Sequence, residues 1–407
     1  MTADGHPSAA PDVVDVVALG ESMVTFLPTR PGPLADVPTF ERGIGGAESN
    51  VACVLAAAGH SARWVSRVGA DGFGDHLVET VGSYGVDVSH VRRDAARPTG
   101  VYFRTAGDRA TDEHEVAYYR AGSAASGMST GNVDLAAVRA GRILHLSGIT
   151  AALSDACLEL LRTLTAPAPR RPLVSFDVNH RPGLWPDPAG ARVLLDLARH
   201  ADLVFVGEDE AEQAWRISGG PEAIRTALPE PRVLVVKQGA GGATVFERED
   251  VDGAQPPRPA AGSPASGARV VPRRERSRVW RRAGAGGTPR APGRATGPRP
   301  TPTPATARPT MFVPAPEVDV VATVGAGDAF AAGFLSATLR DLPLRDRLRH
   351  GHLMAAAALT VPGDLATPAS RSHSDRLAAL DDEAWGRLRL GPGWTQADRA
   401  PEEANTP

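Results

Sequence analysis

Residues 320–339 read VVATVGAGDAFAAGFLSATL, a glycine-rich turn followed by an apolar helix. The helix is predicted to begin at about Ala326, where the main-chain N–H groups of the first turn have no partner within the helix. Gly325 and Gly327 let an anionic ligand approach these N–H groups, so the turn is a candidate anion hole. Asp328 lies in the same turn. A carboxylate beside a bound phosphate suits a base that takes a proton from an attacking hydroxyl.

Phosphoryl transfer from a nucleotide to an alcohol requires an anion hole and such a base side by side. An isolated aspartate in this position is more often a complement to the helix dipole. The role of Asp328 therefore depends on the rest of the chain.

Short β-branched apolar runs recur along the chain and alternate with segments of helical spacing. Runs that are continuously apolar indicate a parallel sheet covered by helices on both faces. The predicted fold class is α/β, with a doubly wound, mostly parallel sheet. Ligands of such folds bind beyond the carboxyl ends of the strands, where polar residues close the runs. The runs are residues 13–20, 63–69, 142–148, 172–179, 201–207 and 232–239, and the closing residues are Glu21, Asp177, Asn179, Glu210 and Gln238.

The segment from Gly100 to Arg120 interrupts this alternation. It reads as two strands around a polar turn and is rich in tyrosine. Together with residues 23–28 (MVTFLP), it is predicted to form a small antiparallel sheet that projects from the main one. Such a flap could cover a ligand.

Composition indicates a globular protein of one large domain or two small ones. The chain has 407 residues, of which 42% are hydrophobic, and its formal net charge is -3. This charge gives no global reason to expect nucleic acid or membrane as a partner. The two cysteines, Cys53 and Cys157, suggest neither a disulfide framework nor a zinc site, and no run approaches the roughly 18 apolar residues of a membrane helix. A cytoplasmic protein is predicted.

Residues 250–310 differ from the rest because they are rich in Arg, Pro, Gly and Ala and almost lack aliphatic pattern. Such a composition buries too little apolar surface to offset the entropy of ordering, so we predict a disordered insertion. It could act as a basic tether for nucleic acid or an acidic partner. It could also be a tolerated surface insertion or an out-of-frame stretch of a GC-rich gene. Its basic residues are all arginine, which favours the last interpretation.

Two motifs together resemble those of the PfkB family of carbohydrate kinases, which have the ribokinase-like fold. They are GIGGAESNVA at residues 43–52 and ATVGAGDAF at residues 322–330. The resemblance implies one kinase domain over residues 12–248 and 311–395, with a flap from about 21–42 and 97–121. Residues 1–11 and 396–407 are expected to be flexible termini, and a homo-oligomer is an expectation from resemblance alone.

The resemblance also assigns roles to residues. Asp328 would be the catalytic base, and the amides of Gly325, Ala326 and Gly327 the anion hole. Gly45 and Gly46 would allow close approach of the sugar, and Asn50 would hydrogen-bond its hydroxyls.

Residues 99–104, 118–126 and 176–185 resemble 2-keto-3-deoxygluconate kinases more than ribokinases or fructokinases. A keto-acid carries a carboxylate, which guanidinium and phenol groups recognise. Within that resemblance Arg120 and Arg181 would bind the carboxylate, while Tyr102 and Tyr118 would add hydroxyl groups and stacking area. Without that resemblance, Arg181 is better explained as a helix-end surface arginine, and Tyr102 and Tyr118 as part of an ordinary half-buried flap.

ATP is the cofactor that the resemblance implies, and Mg²⁺ would arrive with it. Glu210 would contact the metal indirectly through water. The family's Asn-x-x-Glu motif is altered here, since Gly207 stands in place of the asparagine. Ala322 replaces an aspartate that helps hold a monovalent cation in ribokinase-like members, which weakens the case for such a cation. The candidate nucleotide ligands are Lys237, Gly239, Gly242, Thr323, Gly325 and Gly327.

The sequence thus predicts a kinase that phosphorylates a primary hydroxyl of a sugar acid, with 2-keto-3-deoxygluconate as the expected substrate. A fructokinase or another sugar kinase is the alternative within this class. A non-catalytic sugar-acid sensor disabled by the insertion, or a protein that binds nucleic acid through its Arg-rich stretch, remains open. An NAD-dependent Rossmann enzyme is disfavoured because LGESMVTF, not G-x-G-x-x-G, follows the first strand.

Overall fold

The computed structural model describes residues 12–30, 32–105, 115–185, 190–248 and 310–399. In these ranges the strands are β1 (Val14–Leu19), β2 (Met23–Pro28), β3 (Phe40–Gly45), β4 (Ala62–Val65), β5 (Arg67–Gly69), β6 (Arg92–Asp94), β7 (Val101–Arg104), β8 (Val116–Tyr119), β9 (Gly141–Ser147), β10 (Leu173–Asp177), β11 (Leu203–Gly207), β12 (Val233–Lys237), β13 (Ala243–Glu247), β14 (Thr310–Val313), β15 (Glu317–Val318) and β16 (Arg389–Leu390). The helices are α1 (Ala47–Ala57), α2 (Gly72–Ser83), α3 (Leu135–Arg139), α4 (Gly148–Ala151), α5 (Asp155–Thr165), α6 (Arg192–Arg199), α7 (Glu208–Trp215), α8 (Gly220–Ala227), α9 (Ala326–Leu339), α10 (Leu344–Leu359), α11 (Arg371–Ala378) and α12 (Asp382–Gly386).

The main sheet contains eight strands in the order β14-β13-β12-β11-β10-β9-β1-β4. The strands from β12 to β4 in this order are parallel, and β13 and β14 run antiparallel at one edge. Strand β1 has β4 on one side and β9 on the other, so the strand order reverses at β1. The predicted α/β fold with a mostly parallel sheet is confirmed.

Helices cover both faces of this sheet, and the more exposed ones present an apolar stripe to it. In α5, for example, the buried residues Cys157, Leu160, Leu161 and Leu164 recur at spacings of three and four. One core includes these residues and α6 to α8, and the other lies under α1, α9 and α10. Helix α9 is buried along most of its length, which fixes its first turn relative to the sheet.

The flap predicted from the sequence is confirmed as a separate four-stranded sheet in the order β3-β2-β7-β8, called the flap sheet below. Its two outer pairs are antiparallel, whereas the central pair β2 and β7 is parallel. This parallel pair arises because the chain passes through β4, α2 and β6 between the two strands. The predicted polar turn of the flap falls largely in residues 106–114, outside the described residues.

Other boundaries differ from the sequence analysis. The apolar run at residues 63–69 was expected to be one strand, but only β4 joins the main sheet, and β5 pairs with β6. Of the segment 250–310, the structure describes only Thr310, the first residue of β14. Strands β13 and β14 pair with each other, so both strands of the edge hairpin are present on either side of that segment. Residues 1–11 and 400–407 also lie outside the described residues, while residues 396–399 belong to the short helical turn Trp394–Arg399.

No helix in the described ranges combines the length and the hydropathy needed to span a bilayer.

Candidate active site

A cavity of about 310 Å³ opens beyond the carboxyl ends of β10, β11 and β12. The first turn of α9 forms one wall, and the flap sheet contributes Tyr118. Its lining residues are Tyr118, Asp177, Asn179, Arg181, Glu210, Lys237, Thr323, Val324, Gly325, Gly327 and Asp328. The structure therefore brings together the predicted base, the anion hole, and several predicted sugar and nucleotide ligands.

The residues predicted to form the anion hole lie at the start of α9. Gly325 is the N-cap of α9 and has φ of 79°, a left-handed conformation that favours glycine. The first main-chain hydrogen bond of the helix runs from Ala329 N–H to Gly325 C=O. The N–H groups of Ala326, Gly327 and Asp328 precede it, so they are available to an anion at the cavity wall.

Asp328 lies beside Asn50, which comes from the other motif. Asn50 Nδ2 donates a hydrogen bond to Asp328 Oδ2 at 2.9 Å, although 278 positions separate the two residues. Burial raises the pKa of Asp328 to about 7, while the Asn50 hydrogen bond acts in the opposite direction. A half-buried carboxyl with a pKa near neutrality suits a general base. The Asn50 contact leaves Oδ1 to face a substrate hydroxyl.

Lys237 supplies positive charge next to the anion hole. Its Nζ lies 3.1 Å and 3.2 Å from the two carboxylate oxygens of Asp177. It would lie 3.6 Å from a Cβ atom placed on Gly327. Burial lowers the pKa of Lys237, but the carboxylates of Asp177 and Glu210 outweigh this effect and raise the pKa above its ordinary value. The ammonium group is therefore charged where a transferred phosphoryl group would lie.

Composition gives a further signal for Lys237, independent of the motifs. Lys237 is the only lysine in the 407 residues, and every other basic residue except histidine is arginine. An ammonium is a compact point charge, whereas a guanidinium is a wide planar fork. The single exception lies at this half-buried position, where a compact charge fits beside Asp177.

Arg181 and Tyr118 are open polar side chains of the cavity. Each has 53% of its surface exposed. Arg181 Nη1 donates a hydrogen bond to the carbonyl oxygen of His180 at 3.1 Å and lies 3.8 Å from Glu210 Oε1. Glu210 also caps α7, because its Oε2 accepts a hydrogen bond from Gly207 N–H at 2.7 Å. Arg181 thus keeps most of its guanidinium available for a ligand.

Arg120 and Tyr102 lie outside the lining of this cavity. Arg120 forms an ion pair with Glu21, a buried residue whose Oε1 accepts a hydrogen bond from Ser123 Oγ. Its guanidinium carbon lies 5.8 Å from the centre of the Tyr118 ring. Tyr102 is buried and donates a hydrogen bond from its hydroxyl to Asp364 Oδ2 at 2.7 Å. Both side chains therefore bind to carboxylates of the protein itself, Glu21 and Asp364. Their roles in sugar binding stay predictions.

The glycine pair before α1 is tightly enclosed. A Cβ atom on Gly45 would lie 2.1 Å from the hydroxyl oxygen of Tyr102, and one on Gly46 would lie 2.5 Å from the carbonyl oxygen of Glu21. The requirement for glycine here is at least partly a packing requirement. These residues do not line the cavity, but they begin the helix that carries Asn50.

Gly239 and Gly242 form the turn after β12 and also lie outside the cavity lining. Gly242 has φ of 134°, and a Cβ atom there would lie 2.3 Å from the carbonyl oxygen of Val313. This close approach of β14 accounts for the glycine. Contact of either residue with a nucleotide stays a prediction.

Two acidic residues near the base were not assigned roles by the motifs. Asp177 is one of the polar residues that close the apolar runs, and the structure pairs it with Lys237. Glu48 is fully buried, and its Oε1 accepts a hydrogen bond from Thr150 Oγ1 at 2.6 Å. Burial raises the pKa of Glu48 to about 8. A largely neutral Glu48 adds little negative charge beside Asp328 at neutral pH.

In the part of the chain that the structure describes, no group of three or more His, Cys, Asp or Glu side chains is arranged to hold a metal ion. Asp177 and Glu210 are nevertheless carboxylates of the cavity wall, and they fit a metal that a nucleotide brings with most of its water shell.

Three enzymes illustrate the similarity of this chain to known proteins. The 2-dehydro-3-deoxygluconokinase of Bacillus subtilis is 31% identical over 360 residues, which cover 86% of this chain and 91% of that protein. The enzyme of the same name from Thermoproteus tenax is 36% identical over 237 residues, or 58% of this chain and 72% of that protein. Fructokinase-1 of rice is 32% identical over 245 residues, or 59% of this chain and 75% of that protein.

Solved structures have the same fold. The PfkB protein from Polaromonas sp. JS666 superposes with a TM-score of 0.65 at 29% identity, covering 90% of this chain and all of that one. A sugar kinase from Pyrococcus horikoshii in complex with ATP superposes with a TM-score of 0.65 at 20% identity, covering 91% of this chain and 99% of that one. The family model described as pfkB family carbohydrate kinase matches residues 14–263 and 306–370. The chain belongs to the pfkB family of carbohydrate kinases.

Proposed function

We propose that this kinase transfers the γ-phosphoryl group of ATP to a primary hydroxyl of a sugar acid, and that 2-keto-3-deoxygluconate is its substrate, converted to the 6-phosphate. The observation that carries the proposal is the open guanidinium of Arg181 in the same cavity as Asp328 and the anion hole. A neutral sugar gives such a group no charge to bind, whereas a carboxylate does. The two similar 2-dehydro-3-deoxygluconokinases support this substrate.

In the proposed mechanism, Arg181 and Tyr118 hold the substrate so that its hydroxyl reaches Asp328. Asp328 takes the hydroxyl proton, and the oxygen attacks the γ-phosphorus of ATP in line while the bond to the β–γ bridging oxygen breaks and ADP leaves. Lys237 and the N–H groups at the start of α9 stabilise the negative charge that develops on the transferred group. Mg²⁺ would arrive with the nucleotide phosphates and neutralise part of their charge, and Asp177 and Glu210 are the residues that would hold it through water.

Arg120 enters this mechanism only as a second predicted carboxylate ligand. Its present ion pair with Glu21 would have to be shared or exchanged with the substrate. A cytoplasmic location and a homo-oligomer likewise stay predictions.

A neutral sugar is the second candidate substrate, because fructokinases match the chain at nearly the same identity as the 2-dehydro-3-deoxygluconokinases. The arrangement at Arg181 separates the two candidates, since only the sugar acid adds a carboxylate to which this guanidinium can bind beside Glu210.

The substitution Arg181→Met tests the proposal. It removes the charge but keeps an apolar side chain of similar length. Loss of one charge-assisted contact is expected to raise the KM of the sugar acid by about 10- to 100-fold. The KM of ATP should change less than about threefold, because the substitution weakens the binding of the sugar acid and not that of ATP. Initial rates at varied sugar acid and varied ATP give both constants.

Arg142→Met is the matched control, since Arg142 is similarly exposed, at 48%, and pairs with Asp15 at the amino end of β1. Its kinetics should be those of the wild type. An unchanged KM for the sugar acid in Arg181→Met would contradict the assignment of Arg181 to the carboxylate.

A further inference from the structure

Asp364 lies where the flap sheet meets the main domain, and the proposed mechanism gives it no role. It lies in the turn after α10, and only 5% of its side chain is exposed. Its Oδ1 accepts a hydrogen bond from Arg104 Nη2 at 2.8 Å, and its Oδ2 accepts one from Tyr102 at 2.7 Å. Both donors belong to β7 of the flap sheet, on the face that is buried. A carboxylate of the main domain is thus held by two side chains of the flap.

The main chain of Asp364 contacts the anion hole. A Cβ atom on Gly325 would lie 2.2 Å from the carbonyl oxygen of Asp364 and 3.3 Å from its Cα atom. The preceding segment is tied to the end of α10 as well, because Val321 N–H and Ala322 N–H both donate to the carbonyl oxygen of Leu359, at 2.7 Å and 3.3 Å. A displacement of Asp364 would therefore remove one side of the support of Gly325.

The same carboxylate also borders the glycine pair. A Cβ atom on Gly45 would lie 2.6 Å from Asp364 Oδ2. Arg104 fixes the turn a second time, since its Nη2 donates to the carbonyl oxygen of Pro362 at 3.1 Å. Burial of this ion pair makes it sensitive to the loss of either partner, because the remaining charge would lack its counterion.

We propose that Asp364 is a positioning residue, which Arg104 and Tyr102 of the flap hold in place and which in turn holds Gly325 and the first amides of α9 in the geometry of the anion hole. The position of the flap over the sugar is then coupled to the site of phosphoryl transfer through one buried carboxylate. Asp364 touches no reacting atom in this scheme. The inference rests on the proposed role of the anion hole and does not depend on which sugar is bound.

The test compares Asp364→Asn, Arg104→Gln and the double variant with the wild type in the full chain. Amide hydrogen exchange of a peptide that spans residues 318–332 is measured without ligand. We expect about fivefold or greater acceleration of exchange in both single variants, because the first turn of α9 loses a neighbour that holds it. The double variant should exchange about as fast as either single variant, since both substitutions break one network.

Kinetics give a second measurement. The kcat is expected to fall about 10- to 100-fold in the single variants, with less than about threefold change in either KM, as for an interaction made in the transition state. Asp202→Asn is the matched control, because Asp202 also accepts hydrogen bonds from an arginine, Arg171, but at the opposite ends of β10 and β11.

Wild-type exchange in residues 318–332 of both single variants would overturn the inference. The inference would also be overturned if Asp202→Asn lowered kcat as much as the Asp364 and Arg104 variants do. An equal fall would show that kcat responds to a general loss of stability. If the wild type phosphorylates no sugar, the proposed function fails, but the exchange measurement still decides whether Asp364 holds the anion hole.

Discussion

Replacing Asp328 with asparagine is expected to lower kcat by at least about a thousandfold, within the range that general bases contribute. Asparagine is isosteric, and its side-chain oxygen can still accept the hydrogen bond from Asn50 Nδ2, so the fold and both KM values should change little. Initial rates at saturating ATP and sugar, with a thermal unfolding curve for each protein, measure the effect. The substitution removes only the ability to take a proton.

Asp346→Asn provides the control for the alternative that Asp328 merely complements a helix dipole. Asp346 is the third residue of α10, as Asp328 is the third residue of α9, and it lies away from the cavity. If the dipole alone mattered, both substitutions would have similarly small effects of a few tenths of a kcal/mol on stability and none on kcat. Near-native turnover of Asp328→Asn would show that another group is the base.

The pH dependence of the wild type follows from the same carboxyl. The pKa of Asp328 is raised to about 7, mainly by burial, and the base is the deprotonated form. The rate should therefore increase tenfold per pH unit below about pH 7 and level off above it. In Asp328→Asn the residual rate should lose this step. A wild-type rate that is flat between pH 6 and pH 8 would argue against Asp328 as the group that titrates.

The substitution Gly325→Ala is expected to lower kcat by at least about a hundredfold, the scale on which loss of an oxyanion donor acts. An alanine at φ of 79° is strained by about 1 to 2 kcal/mol. Its methyl group would also lie 2.2 Å from the carbonyl oxygen of Asp364, so the turn must move and the amides at the start of α9 move with it. The kcat and the temperature of unfolding are measured together.

Gly363→Ala serves as the control for this prediction. Gly363 belongs to the neighbouring turn, and a Cβ atom there would come no closer than 3.9 Å to another heavy atom. This variant should retain near-wild-type kcat. Full activity of Gly325→Ala would mean that the first turn of α9 does not bind the transferred group.

Local sequence patterns correctly predicted helices and strands whose formation depends on residues close together in the chain. The continuous apolar runs at residues 172–179 and 201–207 became β10 and β11, and α9 begins at Ala326 as expected. The same reasoning failed at residues 63–69, because hydrophobicity does not reveal that a chain changes sheets between Val65 and Arg67. The parallel pairing of β2 with β7 is likewise set by the connection between them.

The contacts of the site were harder to predict, since they join distant parts of the chain. The motifs identified Asn50 and Asp328 separately, but only the fold shows that one donates to the other. Ion pairs between residues that are distant in the sequence were also not visible in the motifs. Arg120 is predicted to bind a substrate carboxylate, and the fold adds Glu21 as its partner within the protein, because a buried guanidinium requires a counterion.

The lysine content of one segment must be compared with that of the whole chain. The absence of lysine from residues 250–310 was interpreted as a mark of out-of-frame sequence. The chain contains a single lysine, Lys237, so the same absence holds for nearly all of it. The lack of lysine therefore does not distinguish these residues from the kinase domain.

The most direct test of the sugar-acid assignment is the ratio of kcat/KM for 2-keto-3-deoxygluconate to that for fructose, measured with ATP and Mg²⁺ on the full-length chain. A site whose open arginine needs a carboxylate should favour the keto-acid by at least about a hundredfold. An equal or inverted ratio would contradict the sugar-acid assignment and indicate a neutral-sugar kinase. Absence of phosphoryl transfer to either sugar would contradict the proposed function.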